Sequence, residues 1–153
     1  MKVAVFSSKP YDEEHLRKAS EDIGLELAFF EPQLTAQTVA LTAGYDIVCC
    51  FVNDVIDNTV AAALKENGIK LVAMRCAGFN NVDLEACARH DLPVARVPEY
   101  SPNAVAEHAA ALILDLNRNI HRAFSRIREN DYSLSGLMGF DLNGKTVSIV
   151  GGG

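Results

Sequence analysis

IKLVAMRCAGFNNVDLEACARHDLPVARV, residues 69–97, holds a complete strand-helix-strand unit. Residues 69–77 form an apolar run with β-branched and small side chains, broken at Gly78. Residues 82–90 carry apolar positions at helical spacing, and residues 93–97 return to a short extended run. A helix between two strands brings the chain back to the same edge, so the strands must run parallel. The rhythm extends upstream. Apolar runs at residues 2–8, 26–30 and 46–52 predict three more strands. A helix over 11–22, with Leu16, Ala19, Ser20 and Ile23 on one side, is stopped at Gly24; a short helix opens at Thr35; a third spans 59–67 and ends at Gly68.

Five strands in 97 residues, separated by helices, predict an α/β fold: a flavodoxin-like, doubly wound, parallel five-stranded sheet. Residues 101–118 break the pattern as one long helix, with Ser101 as N-cap, Pro102 at the first helical position, and a stripe of Val105, Ala109, Leu112 and Leu116. Ala106, Ala110, Ile113 and Leu114 widen the apolar surface, so the helix is expected to lie between domains or subunits. Charge changes sign nearby: residues 117–153 carry five Lys or Arg against three acids, with Arg118, Arg122, Arg126 and Arg128 close together. These arginines form either a solvated, carboxylate-paired face or a subunit contact. Residues 145–150 are expected to be a further strand, leading into Gly151, Gly152 and Gly153. Gly151 and Gly153 fit the first two glycines of a GxGxxG nucleotide turn, the alternative being a bare, flexible terminus.

A formal charge of -6, a pI near 5.1 and a mean hydropathy of +0.08 describe an acidic chain without a basic surface for phosphate backbones. The apolar content of 49% is enough for a packed core and argues against general disorder. Runs such as residues 47–52 are too short to cross a bilayer, and no signal segment opens the chain. A soluble cytoplasmic protein is expected, without nucleic-acid or membrane partners. Cys49 and Cys50 are adjacent in a strand and should point to opposite faces; with Cys76 and Cys87 they show no CxxC spacing, so reduced, buried thiols are expected. His15, His90, His108 and His121 show no ligand spacing, so no metal is expected.

The segment with the most chemistry is RCAGFNNVDLEA, residues 75–86, because ligands of open α/β sheets bind at the carboxyl ends of the strands. Gly78 allows a tight turn and close approach, and the amides of Ala77, Gly78 and Phe79, helped by the following helix N-terminus, are suited to a carboxylate. The alternative is a plain strand-to-helix turn capped by Asn81 or Asp83. Tyr100 sits in the crossing from the fifth strand to the long helix, where its hydroxyl could reach a cleft or its ring could simply pack. Glu107 and His108 diverge by about 100° on a helix and form no acid-base pair.

These stretches together resemble a known family. MKVAVFSSKPYD, CCFVND, RCAGFNNVDLEA, RVPEYSPNAVAEHAAALILDLNR with IHRAFSR, and GKTVSIVGGG are similar, in this order, to the N-terminal part of the NAD-dependent D-2-hydroxyacid dehydrogenases, particularly the bacterial fermentative D-lactate dehydrogenases. The resemblance implies that residues 1–100 are the N-terminal part of a substrate domain, and that 101–153 are interdomain helices and the start of an NAD-binding Rossmann domain whose remainder lies outside this sequence. It implies Ala77 and Gly78 as amides for the substrate carboxylate, Tyr100 near the substrate, Phe51 as a cleft wall, and Gly151 and Gly153 at the cofactor. Where many relatives have Asp before the capping Asn, this chain has Asn80 then Asn81.

The implied reaction is hydride transfer between NADH and a small 2-oxo acid, pyruvate to D-lactate. The family's catalytic Arg, Glu and His would lie beyond these residues, leaving them inactive alone. Self-association through the 101–118 helix is the implied partner contact. The competing reading is a free-standing flavodoxin-like small-molecule binding or regulatory module. A cation-binding receiver is a poor form of it, since the first strand ends in Ser7, Ser8 and Lys9 rather than acids, and a flavin site would want glycine in SSKPYD.

Overall fold

The computed structural model describes residues 1–151. The five strands expected in residues 1–97 all form, each shorter than its apolar run: β1 (Lys2–Val5), β2 (Glu26–Phe29), β3 (Ile47–Cys50), β4 (Leu71–Met74) and β5 (Val94–Arg96). They pair in parallel in the order β2-β1-β3-β4-β5, so the direction of strand addition reverses between β1 and β3. Val5 lies opposite Phe29 on one side and Cys49 on the other. The helices α1 (Pro10–Ser20), α2 (Asn58–Glu66) and α3 (Leu84–Arg89) make the crossings.

Strand alternation sends the adjacent cysteines to opposite faces. Cys50 joins Phe6, Val48, Val72 and Met74 beneath Val60 and Leu64 of α2 and Ala86 and Cys87 of α3. Cys49 joins Val3 and Val5 on the other face, covered by Leu16 of α1. The first face is the deeper: Phe6, Leu34, Ile56, Leu64 and Ile69 are fully buried there. Burial of such side chains contributes roughly 1.5–3 kcal/mol each. All four cysteines are free and buried, as their apolar settings suggested.

The short helix expected at Thr35 is replaced by a turn. The Thr35 carbonyl accepts from the amides of Thr38 and Val39 at 3.1 and 2.9 Å, and the Thr35 amide donates to the Thr38 hydroxyl at 2.9 Å. Two threonines three residues apart close this turn locally, and a single 3-10 turn, Val39–Thr42, follows.

Residues Met1–Tyr100 form one compact unit, and a second begins at Ser101. In the second unit the Ser101 hydroxyl caps α4 (Pro102–Arg118) by accepting from the Ala104 amide at 3.3 Å. Asn119, at φ +54°, ends α4 in the left-handed region, and α5 (Ile120–Arg128) starts beyond it. Neither helix contains a buried residue, and Val105, Leu112, Leu116 and Phe124 are all exposed. The arginine cluster follows the solvated, carboxylate-paired alternative in part, with Arg118, Arg122 and Arg128 exposed and Arg126 3.8 Å from Asp131, and it also pins the loop after α5: Arg126 donates to the carbonyls of Ser133 and Ser135, and Arg122 to that of Gly136. The Asn117 side chain mimics a backbone pair, donating to the Phe140 carbonyl and accepting from its amide, and the chains approach so closely that a Cβ on Gly139 would overlap the Asn117 backbone carbonyl.

The strand expected at residues 145–150, the first of a Rossmann domain, is not formed. Val147, Ile149 and Val150 are exposed. An extended segment becomes a strand only when a neighbour takes its amides and carbonyls, and no strand runs beside it among the described residues.

Candidate functional site

The carboxyl end of the sheet is occupied first by the protein's own charges. Asp54, fully buried in the loop after β3, accepts from the Ser7 hydroxyl at 2.7 Å, the Leu34 amide at 2.8 Å and the Phe51 amide. One carboxylate therefore ties together the loops after β1, β2 and β3. Ser7 sits at φ +51°, an uncommon conformation for a non-glycine residue, held by this bond. Arg75, just after β4, reaches across the sheet: Nη1 donates to the Phe6 carbonyl at 2.9 Å and Nη2 to the Ser7 carbonyl at 3.2 Å, with Asp12 at 3.8 Å and the Phe51 ring 5.2 Å beneath. The reversal point between β1 and β3 is thus filled. A cleft of about 140 Å³ beside it, lined by Ser7, Lys9, Glu31 and Phe51 among others, is much smaller than a flavin needs.

The loop after β4 is arranged differently. No protein acceptor takes the amides of Ala77, Gly78 or Phe79 among the described residues. Their carbonyls, by contrast, are engaged: Ala77 accepts from Arg96 at 3.0 Å, Gly78 from the Cys76 thiol at 3.2 Å, and Phe79 from the Val82 amide at 3.0 Å. Burial pushes the Cys76 thiol up, which keeps its proton available for this bond. A Cβ built on Gly78 meets nothing within 4 Å, so the glycine leaves an open approach to the main chain rather than a packed one. The loop is anchored at its far end by Asn81, whose amide group donates to the carbonyls of Phe51 at 3.1 Å and Asp54 at 2.6 Å, and by pairing of Ile56 with Val82.

Asp83, not Asn81, caps α3, accepting from the Ala86 amide at 2.8 Å. At the start of α3 the Ala86 amide is thus served by a carboxylate of the chain's own.

The family of D-isomer specific 2-hydroxyacid dehydrogenases, catalytic domain, matches residues 3–147. The chain belongs to this family. It is 49% identical to the D-lactate dehydrogenase of Escherichia coli over its full length, and spans about half the length of the curated relatives it matches, 46% in this case. The apo structure of the Escherichia coli enzyme superimposes with a TM-score of 0.87 at 50% identity, covering 92% of this chain and 44% of that one. A D-lactate dehydrogenase from Lactobacillus jensenii, solved with NAD+, gives 0.70 at 29% identity over 93% of this chain and 44% of its own.

Within this dehydrogenase domain, Ala77 is half-buried and Gly78 exposed at the end of β4. Phe51 is half-buried at the end of β3, joined to the same loop through Asn81. Tyr100 is 64% exposed, at the last position of the first unit. Gly151 has φ +77° and open space around it, while Gly153 lies outside the described residues. Asp54, Arg75 and Arg96 organise these loops with no role read for them in the sequence, and Asn81, a candidate cap there, serves as an anchor instead. An acid and a base closing apolar strand runs, Asp54 in DIVCCFVND and Arg75 in IKLVAMRCA, were the available signal.

Proposed function

We propose that this chain supplies the carboxylate-binding side of the substrate pocket in an NAD-dependent D-2-hydroxyacid dehydrogenase acting on pyruvate and D-lactate. The observation that carries the reading is the loop at residues 77–79, whose amides are unclaimed while its carbonyls are fixed. Ala77 and Gly78 donate to the substrate carboxylate, charge-assisted bonds of about 1.5–3 kcal/mol each. Phe51 walls the cleft and Tyr100 lies near the substrate. NADH supplies the hydride; toward it this chain offers Gly151, whose positive φ suits a glycine-rich nucleotide turn, followed by Gly153. The reaction also needs a proton donor for the carbonyl oxygen and a cation to polarise it. Nothing in the loop provides either, so these 153 residues alone bind the acid without reducing it. Self-association through α4, whose apolar stripe is exposed, and a cytoplasmic setting, in keeping with four reduced cysteines, complete the proposal.

Titrating the isotopically labelled chain with oxamate, pyruvate, NADH and flavin tests it. Oxamate and pyruvate are expected to shift the amide resonances of Ala77 and Gly78, flavin to shift none, and NADH with pyruvate to show no absorbance loss. Flavin binding at the ends of β1 and β3, with the loop at residue 78 silent to oxamate, would restore the free-standing module.

A further inference from the structure

Gly78 has no side chain, a backbone outside the left-handed region, and nothing near its Cβ position. It therefore does not orient itself. Its peptide with Ala77 is trans, like the others among the described residues, so the Ala77 carbonyl and the Gly78 amide hydrogen point in opposite directions. Whatever grips the carbonyl aims the amide.

Arg96, the last residue of β5, is what grips it. Its Nη1 donates to the Ala77 carbonyl at 3.0 Å and approaches the carbonyls of Val97 at 3.4 Å and Pro98 at 3.1 Å. The guanidinium also lies over the Phe79 ring, 5.3 Å from its centre. One side chain thus joins the loop after β4 to the segment that runs on to Tyr100. Donation to the Ala77 carbonyl polarises the shared amide and makes the Gly78 hydrogen a better donor. The next peptide is held in the same manner by the Cys76 thiol on the Gly78 carbonyl.

We propose that Arg96 is a positioning residue for the substrate carboxylate: by holding the Ala77 carbonyl it turns the Gly78 amide hydrogen outward, and by holding Val97 and Pro98 it keeps the Tyr100 segment beside that amide. The inference rests on the carboxylate reading of the loop. The planar guanidinium suits both tasks, reaching several carbonyls while stacking on Phe79; an ammonium offers a point charge without the stack.

The test is oxamate affinity of the full chain and its Arg96→Met and Arg96→Lys variants, read from the Ala77 and Gly78 amide resonances, with thermal midpoint as a companion. Arg96→Met is expected to weaken oxamate about tenfold and displace the unliganded Gly78 resonance, with resonances of the β1 to β3 core unchanged. Arg96→Lys is expected to recover part of the affinity. Phe79→Leu, which frees the guanidinium from its stack without touching the core, is expected to weaken binding about twofold and serves if Arg96→Met does not fold. Unchanged oxamate affinity in folded Arg96→Met, or in Phe79→Leu should that variant stand in for it, overturns the positioning role while leaving the carboxylate reading intact. Absence of any oxamate response at Ala77 and Gly78 in the unmodified chain overturns the reading itself, and the inference with it.

Discussion

The loops after β3 and β4 lie side by side at one end of the sheet and use their amide hydrogens in opposite ways. After β3, the chain brings its own anion: Asp54 takes the amides of Phe51 and Leu34 and the hydroxyl of Ser7, and is sealed from solvent. After β4, the amides of Ala77, Gly78 and Phe79 have no protein acceptor among the described residues, and the space beside Gly78 is open. The carboxylate in the first loop is permanent and holds the fold; the second loop has none of its own. At the β1/β3 reversal, where open sheets of this strand order commonly bind a ligand, the protein's own side chains already take the hydrogen-bonding groups. That position is filled by Asp54 and Arg75, and under the proposed function the carboxylate is taken one strand along.

The largest effect is expected at Asp54. Replacing it with alanine strands two buried amides and a hydroxyl without their acceptor, and Asp54→Ala is expected to cost about 3–5 kcal/mol of stability. Chemical denaturation measures this; a loss under about 1 kcal/mol would mean the buried carboxylate does not organise the three loops.

Gly78→Ala sharpens the contrast from the other side. A Cβ there meets no protein atom, so stability should stay within about 0.5 kcal/mol, whereas oxamate should bind at least about tenfold more weakly because the methyl occupies the approach to the amide. Equal losses of stability and affinity would show that the glycine serves packing instead.

The smallest effect lies at the opposite end of the sheet, where a carboxylate holds the fold from the surface. The Lys70 ammonium, at 2.6 Å, and the Lys2 amide hold Asp46 below its ordinary value of 3.8. A carboxylate with a depressed folded value adds stability that is present above the ordinary value and disappears as pH falls through the folded one. Asp46→Asn should therefore lower the thermal midpoint slightly at pH 7 and make no difference near pH 2. A deficit persisting in acid would assign the effect to packing.

Much of the fold was legible because parallel strands buried on both faces must be short, continuous apolar runs, and five of them stand out before residue 98. The adjacent pair Cys49 and Cys50 even announced the two faces, since alternation is a property of the strand alone. The glycine loop was legible as well, by its position after the fourth run. What remained hidden were groups whose meaning depends on distant partners. Asp54 and Ser7 are far apart in the chain, as are Arg75 and Phe6, and neither spacing carries a period that predicts their meeting. Thr35 looked like a helix cap until Thr38 answered it within a turn.

The order of apolar runs and glycines settles that this chain makes a parallel α/β sheet with an open turn at Gly78, because strand burial and backbone freedom are local matters of side-chain type. Which charges are used up and which amides are left unclaimed is decided only when strand ends meet, as Arg75 crosses to Phe6 and Arg96 reaches Ala77. Hydrogen bonds between loops have no signature along the chain; they exist only where the sheet brings those loops together.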